Sequence, residues 1–482
     1  MSLRKQAISG SFWTTVSFGT QSVIQILRLS ILTRFLEKSD FGLVAIVTLV
    51  LGFTHIFADL GVSVSLYSRQ DITKKEYSSL YWVALLLGAG LYLLLCLFAP
   101  FIASFYGMRE LKLLIPVMSL DLLIVNAGRQ FRIFKEKALE FKTLAFIDMI
   151  ASLLSIIVAV LVAVKGGGIW SIIFSALSAS FISSVALIAT GWKTHPLLLY
   201  INLKQGSSFY KIGIYQTGSQ ILDYIASQLD ILIIGKIMAA ADLGVYNLIK
   251  QLVLKINGLI NPIISKVSIP ILSTLNDNYE LLKDKYLQII KLSSFVTLAA
   301  YGVTAVLARE LITVFYGQSY AASYLLLQIL CVWGGLISIM SIASSIIVIT
   351  GKTEVGFKWT VIRVIANPVF IIVGYRFGLL GIVVGQALYA LTFYTVYWKV
   401  VIQKVLGNVK YLEYVHASLK SLVSAIVLFI LCHVFKQFLG DYKNSIMINI
   451  ILFGSLFGGS YLIFNNEIYK PFFAIYVKTK AR

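Results

Sequence analysis

The sequence is divided into apolar runs, each about as long as a membrane is thick, and this recurring run length constrains the fold more than any motif. A helix needs roughly 20 apolar residues to cross the hydrocarbon core. Fourteen candidate spans follow, at 11–33, 41–66, 79–104, 112–128, 144–164, 168–190, 212–235, 243–265, 292–313, 322–348, 359–375, 379–398, 421–437 and 445–464. The longest connections, about 266–291 and 191–211, are too short to fold as separate soluble domains. Composition agrees. The chain is 59% hydrophobic and 13% charged, with a mean hydropathy of +0.87, against about 45–50% apolar and about 25% charged in an ordinary soluble chain. A soluble globular enzyme and a disordered protein are both excluded. The expected fold class is an all-α polytopic membrane protein.

A net charge of +20 has to be placed somewhere specific in such a chain. With the N-terminus in the cytoplasm and the spans alternating, 27 of the 41 Lys and Arg fall inside and 10 outside. Four lie within spans: Arg28, Lys250, Lys255 and Arg363. Of the 21 acids, 10 fall inside and 6 outside, and five lie within spans: Asp59, Asp121, Asp148, Asp223 and Asp230. This asymmetry matches the positive-inside rule and places both termini in the cytoplasm. The basic excess is therefore a topology signal, and no nucleic-acid partner is expected. The N-terminus is basic, then apolar, without the short apolar core and cleavage site of a signal peptide, and reads as a retained first helix. Cys96, Cys331 and Cys432 stand alone in apolar runs, and the four histidines are scattered, so no disulfide framework or metal site is expected.

The chain carries an internal repeat. LTRFLEKSDFGLVAIV (32–47) parallels IGKIMAAADLGVYNLI (234–249), with Gly42 over Gly244 at an offset of 202. PFIASFYG (100–107) parallels ELITVFYG (310–317), and FKTLAFIDMIAS (141–152) parallels FKWTVIRVIAN (357–367). The unit holds six spans. The expected division is a lobe at 1–200 with spans 1–6, a lobe at 201–410 with spans 7–12, and two extra helices with a tail at 411–482. An even span number keeps both copies in one orientation, related by an axis along the membrane normal, and such a design places a cavity between the halves.

Polar residues inside spans are expensive, and each is a functional-site hypothesis by default. In span 1, Thr14, Gln21, Gln25 and Arg28 share one helical face. In span 7, Gln216, Asp223, Ser227 and Asp230 repeat that spacing at an offset of 202, so Arg28 and Asp230 are equivalent positions of opposite charge. Span 2 carries Thr48, His55, Asp59 and Ser63. Span 8 carries Lys250, Asn257, Asn261 and Ser265 at the same offset. Asp148 and Arg363 form a further opposite pair. Structural readings stand beside these: Arg28 snorkelling to the interface, Lys255 paired with an acid on a neighbouring helix, His55 and Asp121 as satisfied hydrogen-bonding groups, and the Gln and Ser stripes as helix-packing contacts. Gly351-Lys352-Thr353 resembles the end of a Walker A loop, but Ile346 stands where its glycine belongs. No cofactor is expected, and any energy source is an ion gradient, H+ or Na+, or the membrane potential.

The segments ISGSFW (8–13), LTRFLEKSDFGL (32–43), FADLGVSVSLYSRQ (57–70), LYW (80–82), RQFR (129–132) with EF soon after, and NPIISKVSIPIL (261–272) resemble polysaccharide exporters of the Wzx type. The nearest branch is that of colanic-acid and teichuronic-acid exporters, within the multidrug/oligosaccharidyl-lipid/polysaccharide (MOP, MATE-like) flippase superfamily. The resemblance implies two six-helix lobes around a cationic lumen. It also implies movement of undecaprenyl-pyrophosphate-linked oligosaccharide across the bacterial inner membrane by alternating access, for surface polysaccharide synthesis. Polysaccharide polymerase and assembly proteins are the implied partners. Lipid II flippases of this superfamily place arginines on the first helix, which Arg28 matches by helix and depth, with Lys250 as its counterpart from the other lobe. The expected substrate-binding residues are Arg28, Lys250, Lys255, Arg363, Gln21, Gln25, Asn257 and Asn261. Those expected for ion coupling or gating are Asp59, His55, Asp223 and Asp230. A cation-coupled drug exporter of the same superfamily, and a membrane polymerase or glycosyltransferase, are the competing readings. Cations on three spans argue against the first, and short outer connections without clustered carboxylates or histidines argue against the second.

Overall fold

A computed structural model describes residues 3–59, 66–67, 72–202, 207–275, 278–438 and 446–468. Among them fourteen helices run 19 residues or longer. They are α1 (Leu3–Leu32), α2 (Lys38–Asp59), α3 (Lys74–Tyr106), α4 (Leu111–Lys137), α5 (Phe141–Val164), α6 (Trp170–Gly191), α7 (Ser207–Ile237), α8 (Ala240–Ser273), α9 (Tyr279–Val306), α10 (Tyr324–Ala343), α11 (Thr353–Tyr375), α12 (Gly378–Tyr397), α13 (Tyr411–Phe438) and α14 (Ile446–Phe464). Their order follows the fourteen predicted spans. Twelve are long and apolar enough to cross a bilayer; the other two are α1 and α7, the repeat partners that carry polar stripes. The chain is a multi-pass membrane protein.

Helix ends follow local chemistry. α3 starts at a capping box in which Thr73 Oγ1 accepts from the Glu76 amide and Glu76 accepts from the Thr73 amide. It stops at Gly107, which takes the left-handed conformation at φ 71°. One predicted end is corrected. The fourth span was expected to finish at 128, yet α4 continues to Lys137. The segment RQFRIFKEK contains no Gly or Pro, and Lys135 and Lys137 in the last turn favour the negative end of the helix dipole. Charge, read as the end of a span, is here the end of a helix.

The chain divides into two compact units, residues 1–247 and 248–482, with the boundary inside α8. In the first, α5 packs against α1 and α6, α4 against α3 and α6, and α2 against α4 and α7. Tyr81, Phe131, Leu144, Ile147 and Leu187 form a buried apolar cluster there. The segment after α6 is bound along the start of α3. The Leu198 amide donates to Ser78 Oγ at 3.0 Å and the Asn202 amide to Ser79 Oγ at 2.8 Å. The Tyr77 hydroxyl donates to the Pro196 carbonyl at 2.6 Å, and Trp82 Nε1 to the Leu198 carbonyl at 2.9 Å.

The starts of α2 and α8 touch backbone to backbone. A Cβ on Gly42 would lie 1.9 Å from the Ala240 carbonyl oxygen, and a Cβ on Gly244 would lie 1.9 Å from the Lys38 carbonyl oxygen. Positions 38 and 240, like 42 and 244, differ by 202. The contact is reciprocal, as an isologous interface is, and it supports the alignment read from the sequence.

In the second unit, α9 packs against α10 and α13, α12 against α10 and α11, and α14 against α9 and α13. Tyr301 and Tyr316 donate to the Val253 and Leu248 carbonyls of α8 at 2.9 and 3.0 Å. Lys436 of α13 reaches Glu310 of the short helix Ala308–Tyr316 at 2.9 and 3.0 Å, and also the Val306 carbonyl at 2.7 Å.

Candidate functional site

The polar face of α1 turns into the first unit. Gln21 Nε2 donates to Ser17 Oγ at 2.9 Å. Gln25 is half-buried. Arg28 Nη1 donates to Ser175 Oγ of α6 at 3.1 Å, and that hydroxyl donates to the Ser155 carbonyl of α5 at 2.8 Å. The Arg28 Nε is buried without a hydrogen-bond partner among the described residues. On α7 the equivalent acid, Asp230, is 2% exposed and accepts from the Tyr246 hydroxyl at 2.5 Å. Arg28 and Asp230 thus take different partners. Asp223 is exposed, and the side chain of Gln216 lies outside the described residues.

On α2, His55 Nε2 meets Asp121 Oδ2 of α4 at 3.0 Å, a pair formed across 66 residues of chain. The side chain of Asp59, and Ser63, lie outside the described residues. In the second unit Lys250 is 4% exposed. Lys255 and Asn257 are half-buried, and Asn261 Oδ1 accepts from Ser338 Oγ of α10 at 2.7 Å. Arg363 reaches Thr360 Oγ1 at 3.4 Å on its own helix.

Asp148 is engaged by Arg132, whose two terminal nitrogens take one carboxylate oxygen each, Nη1 at 3.1 Å. The same guanidinium reaches Ser183 Oγ at 3.4 Å, so α4, α5 and α6 meet at one ion pair. Arg129 and Arg132 line a cavity of about 310 Å³ with Gln21, Asp148, Ser152 and Ser183. Sequence reasoning counted both arginines among the cytoplasmic charges beyond the fourth span. The available signal was the i, i+3 spacing of RQFR, which puts them on one helical face, together with an acid in the next span that lacked an assigned partner.

Arg28 lies in the last turns of α1 (Leu3–Leu32), and among the described residues its guanidinium donates to Ser175 and leaves its buried Nε unbonded. The arrangement suits an anion that completes the guanidinium's hydrogen bonding.

Comparison with known proteins gives one consistent picture. The family described as "Polysaccharide biosynthesis protein" matches residues 31–325. The teichuronic acid biosynthesis protein TuaB of Bacillus subtilis (strain 168) is 26% identical over 359 residues, 74% of each chain. The lipopolysaccharide biosynthesis protein WzxC of Escherichia coli (strain K12) is 24% identical over 420 residues, 86% of this chain and 84% of that protein. Among solved structures, the lipid II flippase MurJ in an inward closed conformation superposes with a TM-score of 0.73, covering 97% of this chain and 100% of that one at 17% identity. At that identity the likeness establishes the fold.

Proposed function

Since the chain belongs to the polysaccharide biosynthesis protein family, we propose that it is a flippase carrying undecaprenyl-pyrophosphate-linked oligosaccharide between the leaflets of the bacterial inner membrane. It is a transporter rather than an enzyme. The observation that carries the reading is Arg28, a guanidinium in the last turns of α1 that donates to Ser175 and whose buried Nε has no hydrogen-bond partner among the described residues. A diphosphate headgroup is strongly anionic and suits such a cation. Lys250 supplies a second buried cation. The glycan needs many hydrogen-bonding groups, which Gln21, Gln25, Asn257 and Asn261 offer. Lys255 and Arg363 are further candidate contacts, and His55, Asp59, Asp223 and Asp230 are candidates for ion coupling or gating. Both termini lie on the cytoplasmic side in this reading, where the basic loops are.

The test is complementation of a strain lacking this gene. The wild-type chain should clear the lipid-linked oligosaccharide that the deletion accumulates, measured by mass spectrometry. Arg28→Ala and Lys250→Ala should leave it accumulated at normal membrane protein levels. Full clearance by both variants would overturn the cationic-headgroup reading.

A further inference from the structure

We propose that the cavity at the turn from α12 to α13 binds the phosphate group of an acidic phospholipid. It has a volume of about 520 Å³ and is lined by Lys399, Val400, Gln403, Lys404 and Gly407. The sequence sets this cavity at headgroup level. Residues 378–398 carry no charged side chain. These 21 residues rise about 31 Å at 1.5 Å each, against roughly 30 Å for the hydrocarbon core. Lys399 is the next residue, so it and Lys404 stand where the core gives way to headgroups. Trp398 marks the same level. Its Nε1 donates to the Val409 carbonyl at 3.0 Å and its ring meets that of Tyr411 at 5.1 Å, and Trp and Tyr collect at membrane interfaces. The site lies within the second unit and makes no use of Arg28 or Lys250, so it stands whatever cargo the chain moves.

The local fold brings the two lysines together. Side chains five positions apart on a regular α-helix of 3.6 residues per turn point roughly 140° apart. Here α12 passes into a π-turn at Trp398–Ile402, where the Gln403 amide donates to the Trp398 carbonyl, five residues back. That wider turn swings position 404 towards position 399, and both lysines line one space with Gln403. Among the described residues neither lysine Nζ has a hydrogen-bond or ion-pair partner. No carboxylate lines the cavity. The acid at the start of α13, Glu413, is already engaged by Lys283 Nζ at 2.9 Å and by the Lys410 amide at 3.0 Å. The carbonyls at the end of the helix would repel an anion, but Lys352 Nζ donates to those of Lys404 and Val405 at 3.1 and 3.0 Å. An arriving anion therefore meets two ammonium groups and one side-chain amide. A phosphate has enough acceptor oxygens to take all three. At headgroup level the abundant phosphate is that of lipid, and this end of α12 is the cytoplasmic one in the orientation proposed above, where basic pockets suit acidic headgroups.

The experiment uses the purified full-length chain and three probes: dioleoyl phosphatidylglycerol, dioleoyl phosphatidylcholine and inorganic phosphate. Binding is read by native mass spectrometry and the fold of each variant by thermal unfolding. The wild type should bind phosphatidylglycerol more tightly than either other probe. Both lysines are exposed, so Lys399→Gln and Lys404→Gln should each weaken phosphatidylglycerol by about fivefold, and together by about 25-fold. Lys399→Arg with Lys404→Arg keeps the charge and should keep the binding. Lys112→Gln with Lys165→Gln removes the same charge from two exposed lysines elsewhere and should change nothing. Loss in the Gln pair with retention in the Arg pair and in the control supports the site. Unchanged affinity in the Gln pair, an equal loss in the control or in the Arg pair, or equal binding of phosphatidylcholine would overturn it. Inorganic phosphate bound as tightly as phosphatidylglycerol would overturn the lipid as its source. Neither lysine side chain makes a bond that the Gln variants break, so they should unfold at the wild-type temperature. If the Gln pair does not fold, each single variant must still lose about fivefold. No transport and no undecaprenyl lipid enters this readout, so its failure and failure of the flippase reading are distinguishable.

Discussion

His195 lies flat on Phe134, with ring centroids 4.1 Å apart and planes 2° from parallel. Burial pushes its imidazole below the ordinary 6.5, the charge of Lys135 pushes the same way, and Glu140 opposes them. Because the folded pKa is depressed, the unfolded chain takes up the proton first, so this contribution to stability is present above the ordinary value and lost as the pH falls through and below it. Thermal unfolding of the purified protein should therefore fall more steeply from about pH 7.5 to about pH 5.5 in the wild type than in His195→Gln. Equal slopes would refute the assignment. At this scale the sequence marks which groups are costly, and geometry decides whom they meet. His55, Asp121, Asp148 and Arg28 were all legible as polar residues in apolar runs. The pairing of His55 with Asp121, and of Asp148 with Arg132, was not, because each joins different helices. Arg129 and Arg132 were read as charges beyond the fourth span and lie on α4, because a charge near a membrane face looks the same in sequence whether it ends a helix or lines its last turns.

The helices themselves were more legible, since run length and hydropathy are properties of one segment. All fourteen spans have a long helix in the same order. Boundaries were less so, as the extension of α4 to Lys137 shows. The crossing of α2 and α8 is the element-scale feature with the sharpest consequence. Both glycines pack against a carbonyl of the partner helix, which has no rotamer to move out of the way. Gly42→Val or Gly244→Val should destabilise the protein by at least the roughly 1–3 kcal/mol of an overpacked core. Thermal unfolding checks this, with Gly19→Val as the control because nothing lies within 4 Å of a Cβ there. A Gly42→Val variant as stable as Gly19→Val would contradict the backbone contact.

At the scale of the whole molecule, α13 and α14 fall outside the sequence repeat, yet the second unit packs both and holds α13 by charge as well. Lys436 joins α13 to Glu310, whose side chain is 9% exposed. The lysine is partly accessible, so solvent screening reduces what the pair is worth. Glu310→Gln should lower thermal stability by about 2 kcal/mol, short of the 3–5 kcal/mol of a fully buried pair. Glu310→Met with Lys436→Met should recover most of it, because no unmatched charge remains. A double variant as unstable as the single one would show that the pair is not the anchor. The crossing at Gly42 and Gly244 also says something about origin. Each of the two matching segments offers the same residue to the same contact, which is how two identical chains meet across a twofold axis. Two copies of one such segment, joined in tandem, would already fit each other at this crossing.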